Sequence, residues 1–245
     1  NSALAALPGG GYVAVWEQDL DIKGRLVGAD GAFATDPFLV SSTTAGEQAA
    51  PAVATFFDGT FVVVWMGTGV GDSDGIYYRQ FSPGGFPYSE TESSVTSYFW
   101  QLVQGNPQVV TYAEDQFEGR RFAVFWESDT DDYGTEVYAR QIKLEEGLPI
   151  PAEWTDLHPP SAGEQNAPTA ALLPGGYIAY AFQGSGQSLL PGAGYDIFYN
   201  VIGPDGAKVS DVVQKANQFY KGDQHSPTVA TIAGVGFAIA WESDD

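Results

Sequence analysis

The chain contains no cysteine. Disulfides and Cys-based metal sites are therefore excluded, and packing and backbone hydrogen bonds must hold the fold. Histidine is nearly absent, with His158 and His225 the two copies. Neither stands in a metal-ligand spacing or beside a plausible nucleophile. Basic residues are scarce, 10 against 31 acidic ones, for a formal charge of −21. Such a field repels phosphate backbones and anionic lipid, so no nucleic-acid partner is expected. No stretch approaches the ~20 apolar residues of a membrane span, and no membrane insertion is expected. Gly-x-Ser-x-Gly, Gly-x-Gly-x-x-Gly and P-loop motifs are all missing. No segment keeps a helical period long enough to support a helix. The chain opens at Asn1 with neither Met nor a signal peptide, as expected of a processed chain or a piece of a longer one.

What is present supplies a core and many turns. Of the 245 residues, 44 % are hydrophobic and 14 % aromatic, which rules against global disorder. Gly (30) and Pro (15) fit a chain that reverses direction often.

Five segments align with one another. The first runs from Ala3-Leu4-Ala5-Ala6-Leu7 to Tyr12-Val13-Ala14-Val15-Trp16, the second from Pro51-Ala52-Val53-Ala54 to Phe61-Val62-Val63-Val64-Trp65. The others open at Pro107, Pro168 and Pro227 and close at Trp126, Ala181 and Trp241. Four are preceded by a glutamine three residues before the proline: Gln48, Gln104, Gln165 and Gln224. In the fourth copy Ala181 takes the tryptophan place and Phe182 follows. Either a neighbouring ring restores the volume or the strand is shifted by one. Beyond each closing position comes an acidic or glycine-rich loop. A second shared strand then recurs as Gly75-Ile76-Tyr77-Tyr78-Arg79, Glu136-Val137-Tyr138-Ala139-Arg140 and Asp196-Ile197-Phe198-Tyr199-Asn200, and more loosely as Asp21–Val27.

The runs are short, rich in Val, Ile, Phe and Tyr, and bounded by Gly, Pro and Asp, which is strand chemistry. A unit of about 49–61 residues holds roughly four antiparallel strands. Units of that length stack radially in propellers, whereas a solenoid needs a shorter repeat and separate sandwiches a longer one. The expected fold is therefore all-β: a β-propeller of about five four-stranded antiparallel units, the last incomplete. The units fall at about 1–47, 48–103, 104–164, 165–223 and 224–245 of a single repeat domain. Trp16, Trp65, Trp126 and Trp241 are expected to pack between blades.

The Gln-x-x-Pro-x-Val-Ala segment, with Asp58-Gly59-Thr60-Phe61-Val62-Val63-Val64-Trp65 and Gly75-Ile76-Tyr77-Tyr78-Arg79, resembles a known tandem repeat. It occurs in very large secreted bacterial proteins of adhesin-like, RTX type and in protist surface proteins. The resemblance covers nearly the whole chain, loosely in copies three and four. It implies an extracellular or cell-surface setting and a scaffold or adhesion role.

Candidate chemistry lies in the loops after the tryptophan strand. Asp19 and Asp21, Asp72 and Asp74, and Asp129 and Asp131 occupy equivalent loops. Alternating Asp in a Gly-containing loop can converge oxygens on a hard cation, which makes Ca²⁺ the candidate cofactor. Plain solvated turns are the alternative, since no loop carries a full Asp-x-Asp-x-Asp-Gly. Arg25, Arg79 and Arg140 recur on the second shared strand and read as structural ion pairs or caps on loop carbonyls. Tyr98-Phe99-Trp100, Trp154 and the loop from Gly184 to Gly194 depart from the repeat and could stack on sugars or make protein contacts.

The 31 acids leave room for a carboxylate pair, but they follow the repeat and look like turn residues, whereas a catalytic pair is expected to break the repeat inside a strand. The expectation is thus a non-catalytic extracellular module for scaffolding, adhesion or surface assembly, partnered by copies of itself or neighbouring repeats. The alternative is a carbohydrate-binding or glycoside-processing propeller with polysaccharide as partner. The incomplete last unit is expected to be completed by strands from outside the chain.

Overall fold

A computed structural model describes residues 1–69, 72–96, 102–112, 119–130, 134–145, 148–157, 163–185, 194–218 and 222–244. Side chains are described for all of these except 130, 145 and 148–156. The fold is all-β. Among the described residues the one helical element is a single 3-10 turn at Pro174–Gly176, and no helix is long and apolar enough to cross a membrane.

Five antiparallel sheets follow one another along the chain as the blades of a β-propeller. The first holds β1 (Ser2–Ala6), β2 (Tyr12–Gln18), β3 (Asp21–Val27) and β4 (Phe38–Leu39). The second holds β5 (Gln48–Thr55), β6 (Phe61–Gly69), β7 (Asp72–Phe81) and β8 (Ser93–Ser94). The third holds β9 (Gln104–Thr111), β10 (Arg120–Thr130), β11 (Gly134–Glu145) and β12 (Leu148–Asp156). The fourth holds β13 (Gln165–Leu172), β14 (Ile178–Gly184), β15 (Asp196–Ile202) and β16 (Gln214–Lys215). Among the described residues the fifth holds β17 (Gln224–Ile232) and β18 (Gly236–Ser243). There are thus, among the described residues, four four-stranded blades and one two-stranded one, as the repeat implied.

Two compact units divide the chain: residues 1–124 with 142–150, and residues 125–141 with 151–245. In the first unit β1 packs on β5 and β5 on β9. Its core joins Val13, Val15, Ile22 and Val40 of the first blade to Phe61, Val63, Trp65, Tyr77 and Phe81 of the second. The run Phe61–Trp65 has no exposed residue because both faces of β6 are covered. Phe61 and Phe81 pair across the ladder and stack at 5.1 Å. In the second unit β13 packs on β17, and Ala179, Ala181 and Ile197 meet Val229, Phe237 and Ile239.

Hairpin chemistry is local. At Asp58-Gly59 the glycine takes φ +84°, a left-handed conformation that a side chain disfavours. Its N–H closes the turn on the Phe56 carbonyl at 3.0 Å. Threonines then tie blades together within each unit. Thr55 Oγ1 donates to the Ala6 carbonyl (2.7 Å), Thr111 Oγ1 to that of Thr55 (2.8 Å) and Thr231 Oγ1 to that of Leu172 (2.5 Å).

The structure settles the fourth copy. Phe182 pairs with Phe198 as Trp65 pairs with Tyr77, so Phe182 and not Ala181 occupies the tryptophan position. The strand is shifted by one against a simple count, and a phenyl ring fills the space.

Candidate functional site

Each first strand opens with a device that the Gln-x-x-Pro pattern encodes. The ladder between β5 and β6 pairs Ala49 with Met66 and then Ala52 with Val64, so Ala50 and Pro51 together face Trp65. That is a β-bulge. The same shift places Ala167 and Pro168 opposite Phe182, and Ser226 and Pro227 opposite Trp241. The residue before each proline is left-handed: Ala50 (φ +49°), Asn106 (+46°), Ala167 (+52°) and Ser226 (+54°). Proline has no N–H to lose from the ladder and bars the preceding residue from the right-handed helical region.

The turned-out N–H of that residue is captured by the preceding blade. Glu17 Oε1 accepts from Ala50 at 2.6 Å, Glu127 Oε1 from Ala167 at 2.5 Å and Gln183 Oε1 from Ser226 at 2.9 Å. Burial works against the Glu17 charge. Hydrogen bonds from the Ala50 amide and from Asn1 outweigh it and hold the carboxyl below its ordinary pKa. Trp65 Nε1 and Trp241 Nε1 donate to Gln48 Oε1 and Gln224 Oε1, both at 2.9 Å, which secures the glutamine that opens the strand. In the fourth blade Phe182 has no N–H to give, and the buried Gln165 Oε1 makes no hydrogen bond.

The antiparallel registers bring the start of the first strand, the end of the second and the start of the third to one end of each blade. The acidic loops therefore share an end with the bulges. In the second unit this end gathers Glu164, Tyr195, Asp223, His225, Glu242 and Asp244. Tyr195 Oη donates to Glu164 Oε2 at 2.6 Å, and its backbone N–H to Asp223 Oδ1 at 2.9 Å. The hydrogen bond to Glu164, with burial adding to it, raises the Tyr195 pKa. His225 Nε2 lies 3.4 Å from Asp244 Oδ1, and Nδ1 lies 3.8 Å from Glu242 Oε2. Exposed carboxylates beside an imidazole can accept sugar hydroxyls and move protons.

The loop acids named for calcium are brought together less closely. Asp19 sits with Leu20 in a two-residue left-handed turn (φ +57° and +67°), where Asp is a turn former. Asp21 lies 3.8 Å from the Lys23 ammonium. Asp72 Oδ1 accepts the Asp74 amide at 3.1 Å, while buried Asp72 Oδ2 makes no hydrogen bond. Tyr77 Oη donates to the Asp72 carbonyl, and burial with the charges of Asp72 and Glu92 pushes its pKa up to about 12. Asp129 accepts from Thr135 Oγ1 at 2.8 Å. Asp131, Tyr98, Phe99, Trp100, the Trp154 side chain and residues 186–193 lie outside the described residues. Among the described residues no three His, Asp or Glu are grouped to hold a metal ion.

In the first and second blades the recurring arginine is a cap on loop carbonyls. Arg25 Nε donates to the Thr35 carbonyl (2.8 Å) and Arg79 Nε to that of Ser89 (3.0 Å). Asn200 does the same in the fourth blade, from Nδ2 to the Ser210 carbonyl at 2.7 Å. Glu164, Tyr195 and Asp223 were missed in the sequence because they come from three separate loops.

Comparison with protein-family models finds no match, and comparison with curated proteins finds none. Solved structures do share the fold. An α-L-arabinanase from Penicillium chrysogenum, complexed with arabinobiose, is 11 % identical over 98 % of this chain and 74 % of its own, with a TM-score of 0.66. An α-L-arabinofuranosidase from Fusarium graminearum, bound to an iminosugar inhibitor, is 10 % identical over 98 % and 73 %, at 0.64. An exo-1,5-α-L-arabinanase from a bovine ruminal metagenomic library is 9 % identical over 99 % and 86 %, at 0.52. At such identity the likeness establishes the fold.

These neighbours overturn the expectation of a non-catalytic module for adhesion, scaffolding or filament assembly. The three neighbours named above are an arabinanase, an arabinofuranosidase and an exo-arabinanase by title, and none is an adhesin or a structural protein. The expectation had a physical flaw. It required catalytic acids to interrupt a strand, whereas the carboxylates that meet here do so through loops at one end of the blades.

Proposed function

We propose that this chain is a glycoside-processing β-propeller acting on a neutral polysaccharide, with arabinose-containing polymers as the first class to test. The observation that carries the reading is the Tyr195 bridge between Glu164 and Asp223 at the loop end of the second unit. Glycoside hydrolysis uses a pair of carboxyl groups, one ionised and one able to give a proton. Tyr195 orients Glu164 through its hydroxyl, which places that carboxyl group as the candidate base or nucleophile. Asp223, bound to the Tyr195 amide, is the candidate for the group that gives the proton. The formal charge of −21 favours a neutral glycan over a polyanion. The glycosidase names of the fold's neighbours support the same substrate class.

The experiment is calorimetric titration and product analysis of the intact chain with arabino-oligosaccharides and a panel of neutral polysaccharides. Binding with release of shorter sugars is expected. A folded chain that neither binds nor cleaves any neutral glycan overturns the reading.

A further inference from the structure

Two residues of the first unit depart from the repeat at the hairpin end of its blades. Arg120 opens β10 in the place that Gly10, Gly59 and Gly176 hold in the other four-stranded blades. Tyr88 follows the turn after β7. Its N–H bonds the Gln80 carbonyl at 3.0 Å, as the Ala34 N–H bonds that of Leu26 and the Val209 N–H that of Val201. A methyl or an isopropyl group thus stands in blades one and four where the second blade carries a phenol ring.

The two departures meet between blades two and three. The Arg120 guanidinium lies 5.9 Å from the centroid of the Tyr88 ring. Its Nη2 donates to Asp58 Oδ2 at 2.6 Å. Thr60 holds the other Asp58 oxygen through its N–H (2.9 Å) and Oγ1 (2.7 Å). Carboxylate and guanidinium are therefore fixed beside the ring, yet both stay partly exposed, Arg120 at 31 % and Asp58 at 28 %. Phe86 shares the face of Tyr88. The Phe86 carbonyl accepts from the Ser82 N–H at 2.8 Å while the Tyr88 N–H reaches back to Gln80. This two-residue spacing puts both side chains on one side of the segment, about 6.5 Å apart along the chain. The Phe86 ring is seated over Gly84, where an added Cβ would come within 3.2 Å of it. Phe86 is 74 % exposed, Tyr88 51 % and Phe57, next to Asp58, 65 %. Rings left in solvent around an ion pair add nothing to the core and mark a contact surface.

We infer that this patch is an anchoring surface for a neutral polysaccharide chain. Tyr88 and Phe86 stack on the C–H faces of sugar residues, and the Asp58–Arg120 pair hydrogen-bonds the hydroxyls at the ring edges. Charge selects the occupant. Asp58 and Arg120 cancel, so the pair has no net charge to draw an ionic partner, and the formal charge of −21 repels polyanions. Hydroxyls both give and accept hydrogen bonds, and the pair sets a donor beside an acceptor. The inference rests on the neutral-glycan class proposed above but not on hydrolysis. The patch belongs to the first unit, whereas Glu164, Tyr195 and Asp223 belong to the second.

Affinity electrophoresis of the whole chain carrying Glu164→Gln, in gels containing linear arabinan, galactan or β-glucan, tests this. Retardation by at least one of the three is expected. Adding Tyr88→Ala is expected to weaken it about tenfold or more, while Tyr88→Phe keeps the stacking ring and most of the retardation. Val209→Ala, at the corresponding exposed place of the fourth blade, is expected to leave it unchanged. Tyr88 lies on the surface, so its truncation leaves no buried cavity, and an unchanged Tm confirms an intact fold. Retardation indifferent to Tyr88→Ala, or seen only with anionic polygalacturonate, overturns the inference. So does a dimer in sedimentation that Tyr88→Ala dissolves, which assigns the patch to contact between copies of this chain. Tyr88-dependent retardation of a chain that cleaves nothing upholds the inference and removes the hydrolytic reading alone.

Discussion

Trp65 Nε1–H donates to Gln48 Oε1 at 2.9 Å across a bulge in which Ala50 and Pro51 face that same tryptophan. One buried bond thus fixes where the first strand of the second blade starts. Gln48 Nε2 continues the chain of bonds to the Thr68 carbonyl at 2.6 Å. Gln48→Met strands a buried indole N–H and is expected to cost about 1–3 kcal/mol in urea unfolding. Gln165→Met removes an acceptor that already lacks a donor, because Phe182 stands opposite. It is expected to cost clearly less. Equal losses at the two positions would break the argument.

The left-handed residues before proline make a second test. Ala50 sits at φ +49°, where an L-residue pays for its Cβ. Ala50→Gly is expected to be neutral or to stabilise by up to about 1 kcal/mol, the relief of strain exceeding the added chain entropy. Ala52→Gly, two residues on in the regular strand, is expected to destabilise by about 0.5–1 kcal/mol. Thermal melts of the two variants should move in opposite directions or differ by several degrees.

Acid sensitivity follows from Asp58. Burial disfavours its charge, but Thr60 and Arg120 more than compensate, with Arg120 Nη2 at 2.6 Å, and its pKa lies below the usual value. A carboxyl whose folded pKa is depressed stabilises the fold above its unfolded pKa, about 3.9, and loses that contribution as pH falls through the lower folded value. Asp58→Asn should therefore lower Tm at pH 7 and flatten the fall in Tm below about pH 4. An unchanged acid limb would assign the loss to other groups.

Much of this architecture was legible in the sequence, and the parts that were not have physical causes. The Phe-Val-Val-Val-Trp strand announced itself by being apolar on both faces, and four prolines marked the first strands. The fourth blade misled because Phe182 supplies volume without the indole N–H that made the other copies recognisable. The cross-blade caps left a signal that could have been read: Trp16-Glu17 and Trp126-Glu127 repeat an acceptor directly after the ring. Tyr195, Glu164 and Asp223 left none. Their meeting depends on strand register and on loops far apart in the chain.

Release of reducing ends from neutral arabinose-containing polysaccharides tests the central claim most directly, comparing the intact chain with Glu164→Gln and Asp223→Asn. The account predicts turnover by the native chain and a fall in kcat/KM of about 100-fold or more in Glu164→Gln, at unchanged Tm. Turnover undiminished by either substitution, or a folded chain inert toward every neutral glycan, would contradict it.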